Sequence, residues 1–278
     1  MKDKPLSAVL EALGPFDLDA LDPRAARSVA DAWYRQHGRK HSPKLLSATS
    51  KMRASDSASV GIILRPGNAS GLEACQWRTA GCTAVCVLET SFRGKESGNR
   101  DARDLRTWLL FEQPQAFITL VAHELRLLAA RHGTVKFRPN VASDLRWEYI
   151  APALFDLAGV YGYDYTKADP LKHRGSLPNY TLTYSVSEVT RSETVARKYM
   201  ANGGRAAVVF DSPKHGLPAT WHGFTVIDGD IGDDRTLDPP GVVVGLSAKA
   251  DAKVKLTAGP VPIRLGRSLG FVKEGVAS

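Results

Sequence analysis

Cysteine is scarce in this chain: there are three in 278 residues, all between positions 75 and 86. A secreted disulfide scaffold spreads an even number of cysteines along its length, so an odd, clustered set implies a reducing compartment. Long apolar runs are lacking too, and none is long enough to cross a bilayer. The N-terminus has no secretory signal, since Lys2 and Lys4 lead into a mixed, acidic segment instead of an apolar core. No apolar run is followed by a glycine-rich dinucleotide fingerprint. Acidic residues fall short of basic ones, 29 against 37, which leaves a formal charge of +8. These shortages predict a soluble, cytoplasmic protein with no membrane role. The positive excess suits a polyanionic partner such as nucleic acid, or serves only solubility.

What is present begins with the thiols. Cys75, Cys82 and Cys86 follow the apolar run 59–65 and a Pro66-Gly67-Asn68 turn, a strand emptying into a loop at residues 72–90. Thiolates grouped on one loop are how a chain holds zinc or an iron–sulfur cluster. The plainer account is that they pack as small hydrophobes. His123 lies near the edge of a helical stripe, as a fourth ligand or as a structural histidine.

The order of elements predicts an N-terminal helical segment over 1–44 and an α/β domain over 45–278. One helix carries Leu6, Val9, Leu10 and Leu13 and breaks at Gly14-Pro15; a second starts at Asp22-Pro23. Residues 91–106 are rich in arginine and glycine. Arg93, Lys95, Arg100 and Arg103 there either grip phosphates or form a charged helix face laced with Asp101 and Asp104. A helix at 115–132, stopped by Gly133, leads into alternating strands and helices: strands near 134–138, 160–167, 180–188, 205–211, 224–228 and 241–245, with helices near 149–158 and 192–201. That alternation predicts a parallel sheet, a complete or partial (β/α) barrel of TIM type.

Strand after strand ends in acidic, amide or hydroxyl groups: Asn140, Ser143 and Asp144; Asp164 and Lys167; Ser185 and Glu188; Asp211; Asp228 and Asp230. In barrels the active site sits at those ends. The recurrence makes the set a candidate site, although any single aspartate could equally be a helix cap or turn. Asp228 and Asp230 could bind a cation or form a solvated acidic loop.

The segments Phe137-Arg-Pro-Asn140-Val-Ala-Ser143-Asp144-Leu-Arg146-Trp147-Glu148, Tyr163-Asp164-Tyr165-Thr166-Lys167 and Ile227-Asp228-Gly229-Asp230 resemble a family of barrel proteins in actinobacterial phages. That family is distantly similar to phage 7-deazaguanine DNA transglycosylases, relatives of tRNA-guanine transglycosylase. The resemblance implies base exchange on DNA in a host cell: an aspartate attacks C1′ of a guanosine, guanine leaves, and a deazapurine such as preQ0 replaces it. It gives Asp144 the role of nucleophile and Asp164 that of acid/base or base reader. Asn140, Ser143, Arg146, Lys167, Glu188 and Asp228 become substrate contacts, and Trp147, Tyr163 and Tyr165 either stack on the base or belong to the core. The cysteines depart from the transglycosylase zinc motif, which lies late in the chain. Their position after the first barrel strand looks more like radical S-adenosylmethionine enzymes, whose three cysteines hold a [4Fe-4S] cluster, although the usual spacing there differs. A non-catalytic DNA-binding protein with a zinc knuckle is the third reading.

Overall fold

The computed structural model describes residues 4–53, 58–90, 97–210 and 217–247. The chain forms two compact units. The first comprises Met1–Gln76, Lys95–Asp164 and Gly175–Thr181, and the second Trp77–Gly94, Tyr165–Arg174 and Leu182–Ser278. The N-terminal helices therefore belong to the first unit.

The strands are β1 (Lys4–Pro5), β2 (Leu46–Ser47), β3 (Ala58–Ile62), β4 (Leu72–Glu73), β5 (Val135–Arg138), β6 (Val160–Thr166), β7 (Tyr180–Ser185), β8 (Arg205–Phe210), β9 (Thr220–Trp221), β10 (Phe224–Asp228) and β11 (Val243–Ser247). β1 and β4 form a separate parallel pair, and the other nine form one sheet in the order β2-β3-β5-β6-β7-β8-β11-β10-β9. Within it β3–β5, β5–β6, β7–β8, β8–β11 and β11–β10 are parallel, whereas β2–β3 and β9–β10 are antiparallel. The α/β class read from the alternation is what the chain adopts. A closed barrel is not found among the described residues: the strand order has two ends, at β2 and β9.

The helices are α1 (Leu6–Leu13), α2 (Pro23–Gln36), α3 (Ser50–Arg53), α4 (Ala80–Ala84), α5 (Val87–Thr90), α6 (Ser97–Glu112), α7 (Pro114–His132), α8 (Trp147–Ile150) and α9 (Ser192–Ala201), with a 3-10 turn at Pro152–Phe155. The expected breaks are real. Gly14–Pro15 separates α1 from α2, and Asp22 caps α2, its carboxylate accepting from the Arg24 N–H at 2.8 Å. Gly133 closes α7 at φ 74°, a conformation that favours glycine. Pro152 splits the helix expected over 149–158 into α8 and the 3-10 turn.

In the first unit α7 is the central helix. Residues 116–122 are buried on every side, because α2, α6 and β5 all pack against it. Glu124, 8% exposed, accepts from the Leu45 and Leu46 N–H groups at 3.1 and 3.0 Å and pairs with Arg27 at 3.4 Å. One carboxylate on α7 thus holds both α2 and the start of β2. In the second unit Tyr184, Ala206, Val208 and Val243 share a core with Ala196 and Met200 of α9. Among the described residues no helix is long and apolar enough to cross a membrane.

Candidate functional site

The sharpest polar structure lies at the carboxyl ends of β5 and β6. Asp164 is fully buried on β6. Its Oδ1 accepts from the Asn140 backbone N–H at 2.9 Å, and its Oδ2 accepts from Asn140 Nδ2 at 2.9 Å and from the Tyr180 hydroxyl at 2.6 Å. Asn140 is also a hub. Its Nδ2 donates to the Leu145 carbonyl at 2.9 Å, while its Oδ1 accepts from Ser143 Oγ at 2.8 Å, Leu145 N at 2.9 Å and Trp147 Nε1 at 3.2 Å. Four of the residues singled out in the sequence, Asn140, Ser143, Trp147 and Asp164, therefore meet in one buried network. The geometry gives Asp164 a holding role: its oxygens are occupied by donors that fix the loop over residues 139–147.

Asp144 sits on that loop, 7% exposed. Its backbone N–H donates to the Ala74 carbonyl at 2.8 Å. Next to Ala74, Cys75 Sγ accepts from Gly67 N at 3.3 Å and lies 3.5 Å from the Ala142 carbonyl, to which it donates. The first cysteine and the first aspartate are thus stitched side by side within the first unit. Gly61 makes the crossing possible. A Cβ there would lie 2.4 Å from the Arg138 carbonyl and 2.4 Å from Val141 Cγ2, so only glycine lets the loop pass.

Arg146 is taken up differently from the expectation. Its Nε donates to Glu11 Oε1 at 2.9 Å, its second guanidinium nitrogen donates to Glu11 Oε2, and its backbone N–H donates to Ser7 Oγ at 3.2 Å, so it anchors α1. Tyr163 is fully buried. Arg103 of α6 is 5% exposed and donates from Nε to the Asn99 carbonyl of its own helix at 2.8 Å. Arg100 is half-buried on the same helix. Arg93, Lys95 and Asp211 lie outside the described residues. His123 lines an open groove of about 580 Å³ with Arg24 and Arg27.

The second unit holds the other part of the cysteine stretch. Residues 79–90, expected as loop, form α4 and α5, and the overlooked signal is Thr79, whose Oγ1 accepts from the Cys82 N–H at 3.1 Å as an N-cap. Glu188, past the end of β7, accepts from Thr79 Oγ1 at 2.8 Å and Gly81 N at 2.9 Å. It therefore positions the segment that carries Cys82. Burial pushes the Cys86 thiol above its ordinary pKa, with backbone N–H groups of Glu89 and Leu88 opposing and Cys82 reinforcing. Lys167 and Tyr165 are half-buried. Asp228 closes a turn by accepting from the Asp230 N–H at 2.7 Å, and Asp230 accepts from Ser247 N at 2.7 Å. The acidic run is thus built into the end of β10.

All three cysteines are thiols. Among the described residues no group of three or more His, Cys, Asp or Glu side chains is arranged to hold a metal ion. The thiols are partly exposed and form no disulfide, but they are not gathered as a ligand set, so the residues present do not fit the zinc or cluster expected of the stretch.

A family model described as Gene product 88 matches residues 34–259. No curated protein and no solved structure matches the chain.

Proposed function

We propose, from the premise that this chain belongs to the Gene product 88 family of phage proteins, that it is a partial (β/α) barrel enzyme that exchanges a nucleobase on DNA, with Asp144 as nucleophile and a deazapurine as the incoming base. The observation that carries this reading is the strand order. From β3 through β5, β6 and β7 to β8, the strands of the large sheet lie side by side in chain order, and beyond β8 the order turns back through β11, β10 and β9. A barrel wall winds one way, as the run from β3 to β8 does. The loop that carries Asp144 leaves the carboxyl end of β5, a strand of that run, where barrel enzymes keep their chemistry.

The chain's own residues do the positioning. Asp164 and Asn140 keep the 139–147 loop in one conformation, and the Ala74 carbonyl holds the Asp144 N–H.

Asp144 is carried on that fixed loop at a strand end, and Asp164 acts as a positioning residue. Asp144→Ala is expected to abolish base incorporation with folding intact, and retained incorporation would remove Asp144 from the chemistry.

A further inference from the structure

A basic stripe runs along α2, in the first unit. Arg24, Ser28, Asp31 and Arg35 recur at helical spacing, so they share one face of the helix. At its N-terminal end the stripe borders an open groove of about 580 Å³, where Arg24, Arg27 and Ser28 stand opposite Leu120 and His123 of α7. Along its flank lies the turn Gly38-Arg39-Lys40-His41-Ser42-Pro43-Lys44. Two side chains of α2 pin that turn in place. Arg27 donates to Ser42 Oγ at 2.6 Å and to the Pro43 carbonyl at 3.3 Å, and Asp31 Oδ1 accepts from the Ser42 N–H at 2.7 Å. A turn rich in cations is thereby held beside a helix face that carries arginines.

The carboxylates of this surface are engaged inside the protein. Asp22 accepts from the Arg24 and Ala25 N–H groups at 2.8 and 3.4 Å, which closes the end of α2 to an outside anion. Asp31 is bound to the Ser42 N–H, and Glu124 to the Leu45 and Leu46 N–H groups. Two of the cations are engaged as well, Arg27 by Ser42, Pro43 and Glu124, and Arg39 by Asp101 at 3.5 Å. Arg24, Arg35, Lys40 and Lys44 are different. All four are exposed, and among the described residues none of their side chains makes a hydrogen bond or ion pair. Arg24 and Arg35 stand about 16 Å apart along the helix axis, close to the rise of about five nucleotides on one strand of a duplex. Among the described residues, α2 and the turn expose no large apolar side chain, so a protein partner would find no anchor there. The groove is open, so it would leave most of a small ligand in water. A row of solvated cations beside an open channel fits a continuous polyanion, whose affinity comes from displaced counterions.

We infer that the α2 stripe and the 38–44 turn hold the phosphodiester backbone of DNA, with Arg24, Arg35, Lys40 and Lys44 on its phosphates. The inference rests on the reading of a DNA-acting enzyme and names the surface that grips the duplex. Its test is fluorescence anisotropy of the full chain with a labelled DNA duplex over a range of salt concentrations. The double variant Arg24→Gln/Lys44→Gln is expected to bind at least about tenfold more weakly at low salt, or 1.4 kcal/mol. It is also expected to flatten the dependence of log Kd on log salt by about 0.9 for each phosphate contact removed, about 1.8 for the pair. Arg35→Gln/Lys40→Gln is expected to do the same. Arg197→Gln/Lys198→Gln removes the same charge from exposed positions of α9 and is the control, expected to bind as wild type. Every substituted side chain is exposed, and circular dichroism checks folding. No binding of the duplex to the wild type, an unchanged slope in either α2 variant, equal flattening in the control, or a polyglutamate peptide bound more tightly than the duplex would overturn the inference. Because binding is read with no deazapurine present, its failure is distinguishable from failure of the exchange reading, which incorporation by Asp144→Ala tests.

Discussion

Replacing Asp164 with alanine removes an acceptor from three donors at once: the Asn140 N–H, Asn140 Nδ2 and the Tyr180 hydroxyl. The site is fully buried, so no solvent stands by to replace the lost partner. A buried donor left unsatisfied costs about 1–3 kcal/mol, and charged acceptors stand at the upper end. Three donors sharing one partner relax together, so the losses do not simply add, and the total is on the order of 4 kcal/mol. For a domain of this size each kcal/mol moves the midpoint by about 2–4 °C, so Asp164→Ala is expected to melt roughly 10 °C lower. Asp164→Asn keeps the shape but turns one oxygen into a donor facing donors, and falls between the two. Thermal and urea unfolding followed by circular dichroism measure both. A loss under about 1 kcal/mol in Asp164→Ala would refute the network account and return Asp164 to the list of groups available for chemistry.

Gly61→Ala places a methyl group 2.4 Å from the Arg138 carbonyl and Val141 Cγ2; overpacking of this kind costs about 1–3 kcal/mol, and a neutral outcome in urea unfolding would show that the loop can move. Glu188→Ala releases Thr79 and Gly81 at the start of α4. Amide exchange at residues 81–84 is expected to speed up about tenfold for each 1.4 kcal/mol lost, and unchanged exchange would remove Glu188 from that role. Because burial raises the Cys86 pKa, its thiolate is scarce at neutral pH and grows as pH rises toward the folded-state pKa. Iodoacetamide labelling of Cys86, read by mass spectrometry, is therefore expected to lag behind a model thiol at pH 7 and to gain on it above pH 9, the ordinary thiol pKa lying near 8.5; labelling at the model rate at pH 7 would contradict the burial.

The elements were legible where local chemistry decides them. Asp22-Pro23, Gly133 and the run 192–201 announced their boundaries, because a cap, a positive φ and a helical period depend on few residues. The meeting of Asn140 with Asp164 was legible only as a tendency of strand ends to be polar; that the two would satisfy each other depends on the β5–β6 register, which no short window contains. Arg146 shows the same limit, since its partner Glu11 lies far back in the chain. Two signals were present and passed over. The alternation Val135-Lys136-Phe137-Arg138 announces a strand with one basic face, and Thr79 before the second cysteine announces a helix cap.

The rims of the large sheet have a consequence for how the chain behaves at high concentration. Each rim is a two-residue strand, Leu46–Ser47 on one side and Thr220–Trp221 on the other, and each runs against the direction of its neighbour. So short a border offers another copy almost no ladder to extend, which discourages edge-to-edge stacking of copies.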